Sequence, residues 1–197
     1  HVAPRARLVL GLSGGLDSVV LLHVLRALRD QLPFELHAVH VHHGLSPHAD
    51  DWADFCTQLC VSHAVELTIQ RARIARDDAA GIEAAARRER QRIFSALDAD
   101  FLLTAHQQND QAETLLLQLL RGAGPKGLSA MAELQCRPGW RAAQLRPLLE
   151  VTRADLLDHA QRHGLGWVDD ESNQDTRYRR NALRHEVMPL LAAHFPG

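Results

Sequence analysis

The strongest constraint on the fold is a turn, Gly11-Leu12-Ser13-Gly14-Gly15-Leu16-Asp17-Ser18, joining an apolar triplet to an amphipathic run. The triplet Leu8-Val9-Leu10 reads as a buried strand, and from Asp17 to about Arg29 apolar Val20, Leu21, Val24, Leu25 and Leu28 recur at helical spacing. Two adjacent glycines let the backbone approach a ligand and take positive φ where needed. A helix behind them offers unpaired N–H groups and the positive end of its dipole, which together hold phosphate oxygens. Ser13 and Ser18 can add hydroxyl donors, and Asp17 can face a magnesium ion. The G-K-[ST] of a Walker A loop and the G-x-G-x-x-G of a dinucleotide turn are both missing. A plain structural turn would account for the glycines alone, whereas the whole S-G-G-x-D-S string between a strand and a helix points to a phosphate cradle.

The same alternation continues. Phe34 to Val41 and Val65 to Ile69 read as strands, Ile82 to Leu97 as a long arginine-studded helix, and Phe101 to Thr104 as a fourth strand. Ser46-Pro47 predicts an N-cap and a first-turn proline opening a helix to about Cys60. Asp110 to Leu120 predicts a helix with a heavily apolar face, opened by Asp110 as N-cap and Glu113 at N3. This pattern predicts an α/β fold, a parallel sheet with helices on both faces. Ligands in such sheets bind beyond the carboxyl ends of the strands, where the turns Ser13–Ser18 and His106–Glu113 both fall. After Arg121 the strand–helix rhythm stops at a glycine-rich link (Gly122, Gly124, Pro125, Gly127), so residues 1–121 are expected to form the nucleotide-binding core and 122–197 a small, mainly helical annex. In the annex, Thr152-x-x-Asp155 predicts a capping box on a helix to about His163.

Composition narrows the function classes. No stretch approaches the roughly 20 apolar residues of a membrane span, and no basic-then-apolar secretory signal opens the chain. Three cysteines, Cys56, Cys60 and Cys136, make neither an even framework nor a C-x-x-C pair, which favours the reducing cytoplasm. The first residue is His1 rather than Met, which reads as an artificial boundary. A net charge of −2 argues against bulk electrostatic binding of nucleic acid. Of 22 basic residues only Lys126 is a lysine, and the arginines cluster at Arg87–Arg92 and Arg177–Arg184. Genomic coding bias explains such usage as well as phosphate recognition does.

The string Ser13-Gly14-Gly15-Leu16-Asp17-Ser18 resembles the PP-loop of the ATP pyrophosphatases, which cleave ATP between its α and β phosphates. Further segments narrow the likeness: His40-Val-His-His43-Gly-Leu; Glu83-x-x-x-Arg87-x-x-Arg90; Thr104-Ala-His106-x-x-x-Asp110-x-x-Glu113-Thr; Arg146-Pro-Leu-Leu; Asp170-x-Ser-Asn; and Arg180-Asn181-x-x-Arg184. Together they resemble the tRNA(Ile)-lysidine synthetase family from about Arg7 to Leu191. That likeness implies a two-step reaction on the wobble cytidine of a tRNA(Ile) with a CAU anticodon. ATP adenylates the C2 oxygen and releases pyrophosphate; the ε-amine of free lysine then displaces AMP.

By resemblance, Ser13, Gly14, Gly15, Leu16, Asp17, Ser18 and His40 would bind ATP, with Asp17 holding Mg2+. Asp17, Arg87, Asp110 and Glu113 would be catalytic, the two carboxylates of the fourth helix receiving the lysine ammonium or helping to carry magnesium. His43, Arg90, His106, Arg180, Asn181 and Arg184 would meet substrate or tRNA. Local readings compete: Asp110 and Glu113 can be a helix cap, and Arg87 a solvated helix charge. Zinc ligation by His40, His42 and His43 is disfavoured, because no cysteine pair helps and the three side chains alternate across a strand. The chain departs from the family at Gln91, Gln107 and Asn109, and the family's usual carboxy-terminal tRNA-binding domains are absent from these residues. Rival readings are a PP-loop synthetase acting on a small molecule, a tRNA-thiolating enzyme with an iron–sulfur cluster, and a non-catalytic nucleotide-binding module.

Overall fold

A computed structural model describes residues 5–74, 78, 81–124 and 127–195. His1, Pro125, Lys126, Pro196 and Gly197 lie outside the described residues. Among the described residues six strands form one sheet in the order β3-β2-β1-β4-β6-β5. They are β1 (Arg7–Gly11), β2 (Glu35–His42), β3 (Glu66–Arg71), β4 (Phe101–Leu103), β5 (Leu134–Gln135) and β6 (Ala143–Leu145). The first four and β6 run parallel, with Leu10 beside Ala38 on one side and Leu103 on the other. Period-two alternation divides the core. Leu8, Leu10 and Leu12 pack on one face with α1 (Leu16–Arg29), α2 (Ala49–Ser62) and α5 (Arg153–Arg162). Val9, Val39 and Leu102 face Ile93 and Phe94 of α3 (Ile82–Ser95) on the other.

The strand order reverses at β1: β2 and β3 lie to one side of it and β4 to the other. A crevice therefore opens at the carboxyl ends of β1 and β4, the position at which open α/β sheets bind ligands. The glycine turn leaves β1 into α1 there, and the turn of Ala105–Gln107 leaves β4 into α4 (Gln108–Leu120).

Three sequence expectations are corrected. The helix expected at Ser46-Pro47 begins at Ala49 with His48 as N-cap; Ser46 instead accepts the His48 amide through its hydroxyl in the preceding turn. The cap of α4 is Gln107, not Asp110: Gln107 accepts from the Asn109 amide, and Asp110 at N3 accepts from the Gln107 amide. Glu113 is thereby free of any capping role. Strands also do not stop at Arg121, since β6 adds a parallel strand beside β4 and β5 closes the edge antiparallel to β6.

The annex returns to the core through α5, whose capping box at Thr152 and Asp155 forms as expected. A 3-10 turn (Glu171–Gln174), α6 (Arg179–Ala182), a π-helical turn (Leu183–Val187) and α7 (Met188–His194) complete the tail. The apolar face expected of α4 is only partly used. Asp110 and Glu113 are its buried residues, while Leu115, Leu119 and Leu120 stay exposed.

Candidate active site

The glycine turn is held by its own hydroxyls. Ser18 Oγ receives the Ser13 amide at 3.2 Å and donates to the Gly15 carbonyl at 3.0 Å, and Ser13 Oγ receives the Gly15 amide at 3.3 Å. Gly14 takes φ +88°, and a Cβ there would stand 2.9 Å from the Val168 side chain and 3.2 Å from Cys56 Sγ. The Val168 amide donates to the Gly14 carbonyl, so the annex pins the turn from outside. Gly15 caps α1 without a side chain on the first amides, leaving them for an anion. His40 stands behind the turn, its buried Nδ1 donating to the Leu12 carbonyl at 2.9 Å. It supports the turn from behind through this bond.

Across the crevice, Asp110 and Glu113 meet two arginines of the tail. Arg180 donates Nε to Glu113 at 2.6 Å and Nη2 to Asp110 at 2.7 Å. Arg184 grips both Glu113 oxygens, at 2.7 and 3.0 Å, and lies 3.5 Å from Asp110. Glu113 is 1% exposed, so this is a buried, nearly complete ion network. Every carboxylate oxygen of the pair has a donor, the second oxygen of Asp110 taking the Gln107 amide.

Asp17 is the contrast. Its buried Oδ1 has no hydrogen-bond partner, the nearest cation being Arg153 at 3.6 Å. Burial raises its pKa, Arg153 opposes the rise, and Asp110 and Glu113 reinforce it. A half-satisfied carboxylate beside other acids is the donor a magnesium ion takes together with substrate phosphates. The residues therefore fit the ion that the sequence implies.

Most of the remaining predicted residues are electrostatic neighbours, Arg87, Arg90 and Arg180 acting on His106 and Arg90 on His43, with one exception. His43, Arg90 and His106 feel one another's surroundings. Burial and then Arg90 lower His43 to about 4, and burial followed by Arg146, Arg180, Arg90 and Arg87 lowers His106 to about 3. Arg90 lies within the crevice where solvent still reaches it; the enclosing protein, then Arg87 and Arg180, lower its pKa. A set of mutually repelling arginines around neutral histidines is an electrostatic field arranged for a polyanion. Asn181 is the exception, since its amide donates to the Ser172 and Asp175 carbonyls and braces the 3-10 turn. A cleft of about 560 Å3 adjoins Asp17's partner, lined by Arg153, Asp170, Asn173, Arg184 and His185.

Arg146 and Arg153 were not singled out from sequence. Arg146 is buried, donating to the Ala132 carbonyl and to Gln135, and Arg153 opens α5 toward Asp17. Only the Arg146-Pro-Leu-Leu string hinted at the first, and nothing local marks the second.

The two lowered histidines set a pH dependence. The unfolded chain takes up both protons as pH falls through about 6.5, while the folded chain refuses them until about 4 and about 3. Their stabilising effect is thus full above pH 6.5 and is lost on acidification. Urea unfolding should show a loss on the order of a few kcal/mol between pH 6.5 and 4. The double variant His43→Gln, His106→Gln should flatten that slope; an unchanged slope would contradict the assignment.

Comparison with known proteins places these residues among relatives. The PP-loop domain family matches residues 2–191. The chain is 49% identical over its whole length to the tRNA(Ile)-lysidine synthase of Azoarcus sp. (strain BH72), and 52% identical to that of Aromatoleum aromaticum (strain DSM 19018 / LMG 30748 / EbN1). It spans less than half of each, 44% and 46% respectively. Among solved structures, the U34-tRNA thiolase NcsA from Methanococcus maripaludis, with its [4Fe-4S] cluster, superposes with a TM-score of 0.82 at 19% identity. That superposition covers all of this chain and 69% of the thiolase, a likeness of fold.

Proposed function

The chain belongs to the PP-loop domain family, and from that premise we propose that it is the ATP-using part of a tRNA(Ile)-lysidine synthetase. It would join free lysine to C2 of the wobble cytidine of tRNA(Ile) with a CAU anticodon, through an adenylated cytidine. The observation that carries the reading is the juxtaposition, within the first turn of α1, of an open helix N-terminus with the orphaned Asp17 carboxylate. Relatives 49–52% identical across the whole chain supply the substrate class.

In this reading the amides of Leu16 and Asp17 and the Ser13 hydroxyl hold the departing pyrophosphate, joined by the Gly15 amide and the Ser18 hydroxyl as these exchange their partners within the turn for phosphate oxygens. Asp17 would hold Mg2+, which offsets phosphate charge when bound. Arg87 and Arg90 fork onto phosphate oxygens as charge moves from the α phosphate to pyrophosphate. His43 and His106, neutral at pH 7, can accept or donate one hydrogen bond to base or ribose without adding charge. Asp110 and Glu113 receive the lysine ammonium by exchanging an arginine partner for the amine, and either can take the proton released as nitrogen bonds to C2. The C2 oxygen then leaves with AMP, a far better leaving group than oxide. Arg180 and Arg184 are left facing the anionic tRNA. Residues 1–121 supply the nucleotide half and 122–197 the cover that pins Gly14 and brings the two arginines. The three free thiols suit work in the cytoplasm.

The thiolase reading lacks its ligands. Burial pushes the Cys56 and Cys60 thiols up to about 12 and about 11, Cys136 is exposed, and no three-cysteine group forms among the described residues. The test is nucleoside analysis of unmodified CAU tRNA(Ile) after incubation with ATP, lysine and excess protein. Because the chain spans less than half of these relatives, little lysidine is expected, and only with all three substrates; a thiolated nucleoside, or lysidine formed without ATP, would overturn the reading.

A further inference from the structure

Away from the crevice, four histidines from three helices meet. His23 lies on α1, His63 at the end of α2, His159 on α5 and His163 at the end of α5. Ring centroids are 4.4 Å apart for His159 and His163, 4.8 Å for His23 and His163, and 5.4 Å for His23 and His159, with His63 at 6.2 Å from His23. One ring nitrogen from each of His23, His159 and His163 lies within 4.8 Å of the other two, the one such potential ligand group among the described residues. We propose that these three histidines form a site for one borderline divalent transition metal, zinc first, with the fourth position open to water.

Two independent observations support a ligand there. His159 and His163 stand four residues apart, so they share a helix face that α1 packs against. His159 Nε2 is buried without any hydrogen-bond partner, an orphan that a metal bond would satisfy. Zn–N bonds of about 2.0–2.1 Å in tetrahedral array put donors about 3.3 Å apart. The three rings need close by no more than about 1.5 Å, and exposed His163 is free to turn.

The surroundings suit a neutral imidazole set. Burial, then mutual repulsion among the rings, lowers the pKa of His23; burial, then His163 and Arg162, lowers that of His159. Burial and then Arg26 lower His63. The nearby arginines are already matched, Arg26 by Asp30 and Arg162 by Asp158. Imidazole nitrogens select zinc, nickel or copper over magnesium, so the site is chemically distinct from that at Asp17. His23 is also six residues further along α1 than Asp17, about 9 Å at 1.5 Å per residue. A bound ion would cross-link α1 to α5, the helices that carry Asp17 and Arg153.

The test is equilibrium dialysis of the chelator-stripped chain against Zn2+, with thermal unfolding alongside. One zinc per chain is expected, with Tm raised by about 5 °C at a hundredfold excess over Kd. His159→Gln and His163→Gln should each weaken binding at least about tenfold, while His48→Gln, elsewhere on the surface, should not. Because His163 is exposed, its variant keeps the test decisive even where His159→Gln fails to fold. No zinc retained, or binding indifferent to His163→Gln, would overturn the proposal.

Discussion

Glu113→Ala should destabilise the chain by about 3 kcal/mol, lowering Tm by roughly 6–12 °C. The cause is the pair of guanidiniums it leaves behind: Arg180 and Arg184 each donate to Glu113, and Asp110 alone cannot match both. The figure sits at the lower end for a broken buried pair because the two arginine side chains remain 31% exposed and are partly screened. Removing one of the orphaned charges should restore part of the loss, so Glu113→Ala with Arg184→Ala should melt above Glu113→Ala alone. Wild-type melting of the single variant would show that the network does not join annex to core. This reading changes how kinetic defects at Asp110 and Glu113 are judged. A fall in lysine use counts as chemistry only in variants, such as Glu113→Gln, whose melting is checked.

Asp17→Asn should do the opposite: AMP formation falls by at least about a hundredfold while the fold is kept. Asparagine is nearly isosteric and can still occupy the first turn of α1, but it binds magnesium poorly. Burial raises the pKa of Asp17, so its charged form is penalised in the folded chain, and that penalty grows as pH rises through the folded pKa. Near neutral pH the neutral variant should therefore melt no lower than the parent. A variant with near-parental AMP formation would remove Asp17 from the chemistry.

Much of this was legible in the residues. The glycine turn, strands β1 to β4 and helices α1, α3 and α5 follow from local period and capping, and they alone put two loops at the carboxyl ends of β1 and β4. What escaped is what depends on distant partners. β5 and β6 have two and three residues, too few for any period to register, and exist because β4 offers an open edge. Gln107 outcompeted Asp110 as the cap of α4 because the chain enters that helix two residues before the expected start. Arg180 and Arg184 reach Glu113 across 67 and 71 residues, so resemblance named them but could not say that they bind carboxylates. The His23, His159 and His163 group is illegible for the same reason, since only the packing of α1 against α5 assembles it.

The most direct test of the ATP chemistry is to ask which bond of ATP breaks. With protein in excess over unmodified CAU tRNA(Ile), so that weak tRNA binding is not limiting, labelled ATP and lysine should yield AMP and pyrophosphate in equal amounts, one of each per lysidine formed. Production of ADP and inorganic phosphate, or AMP released equally well without tRNA, would contradict the account.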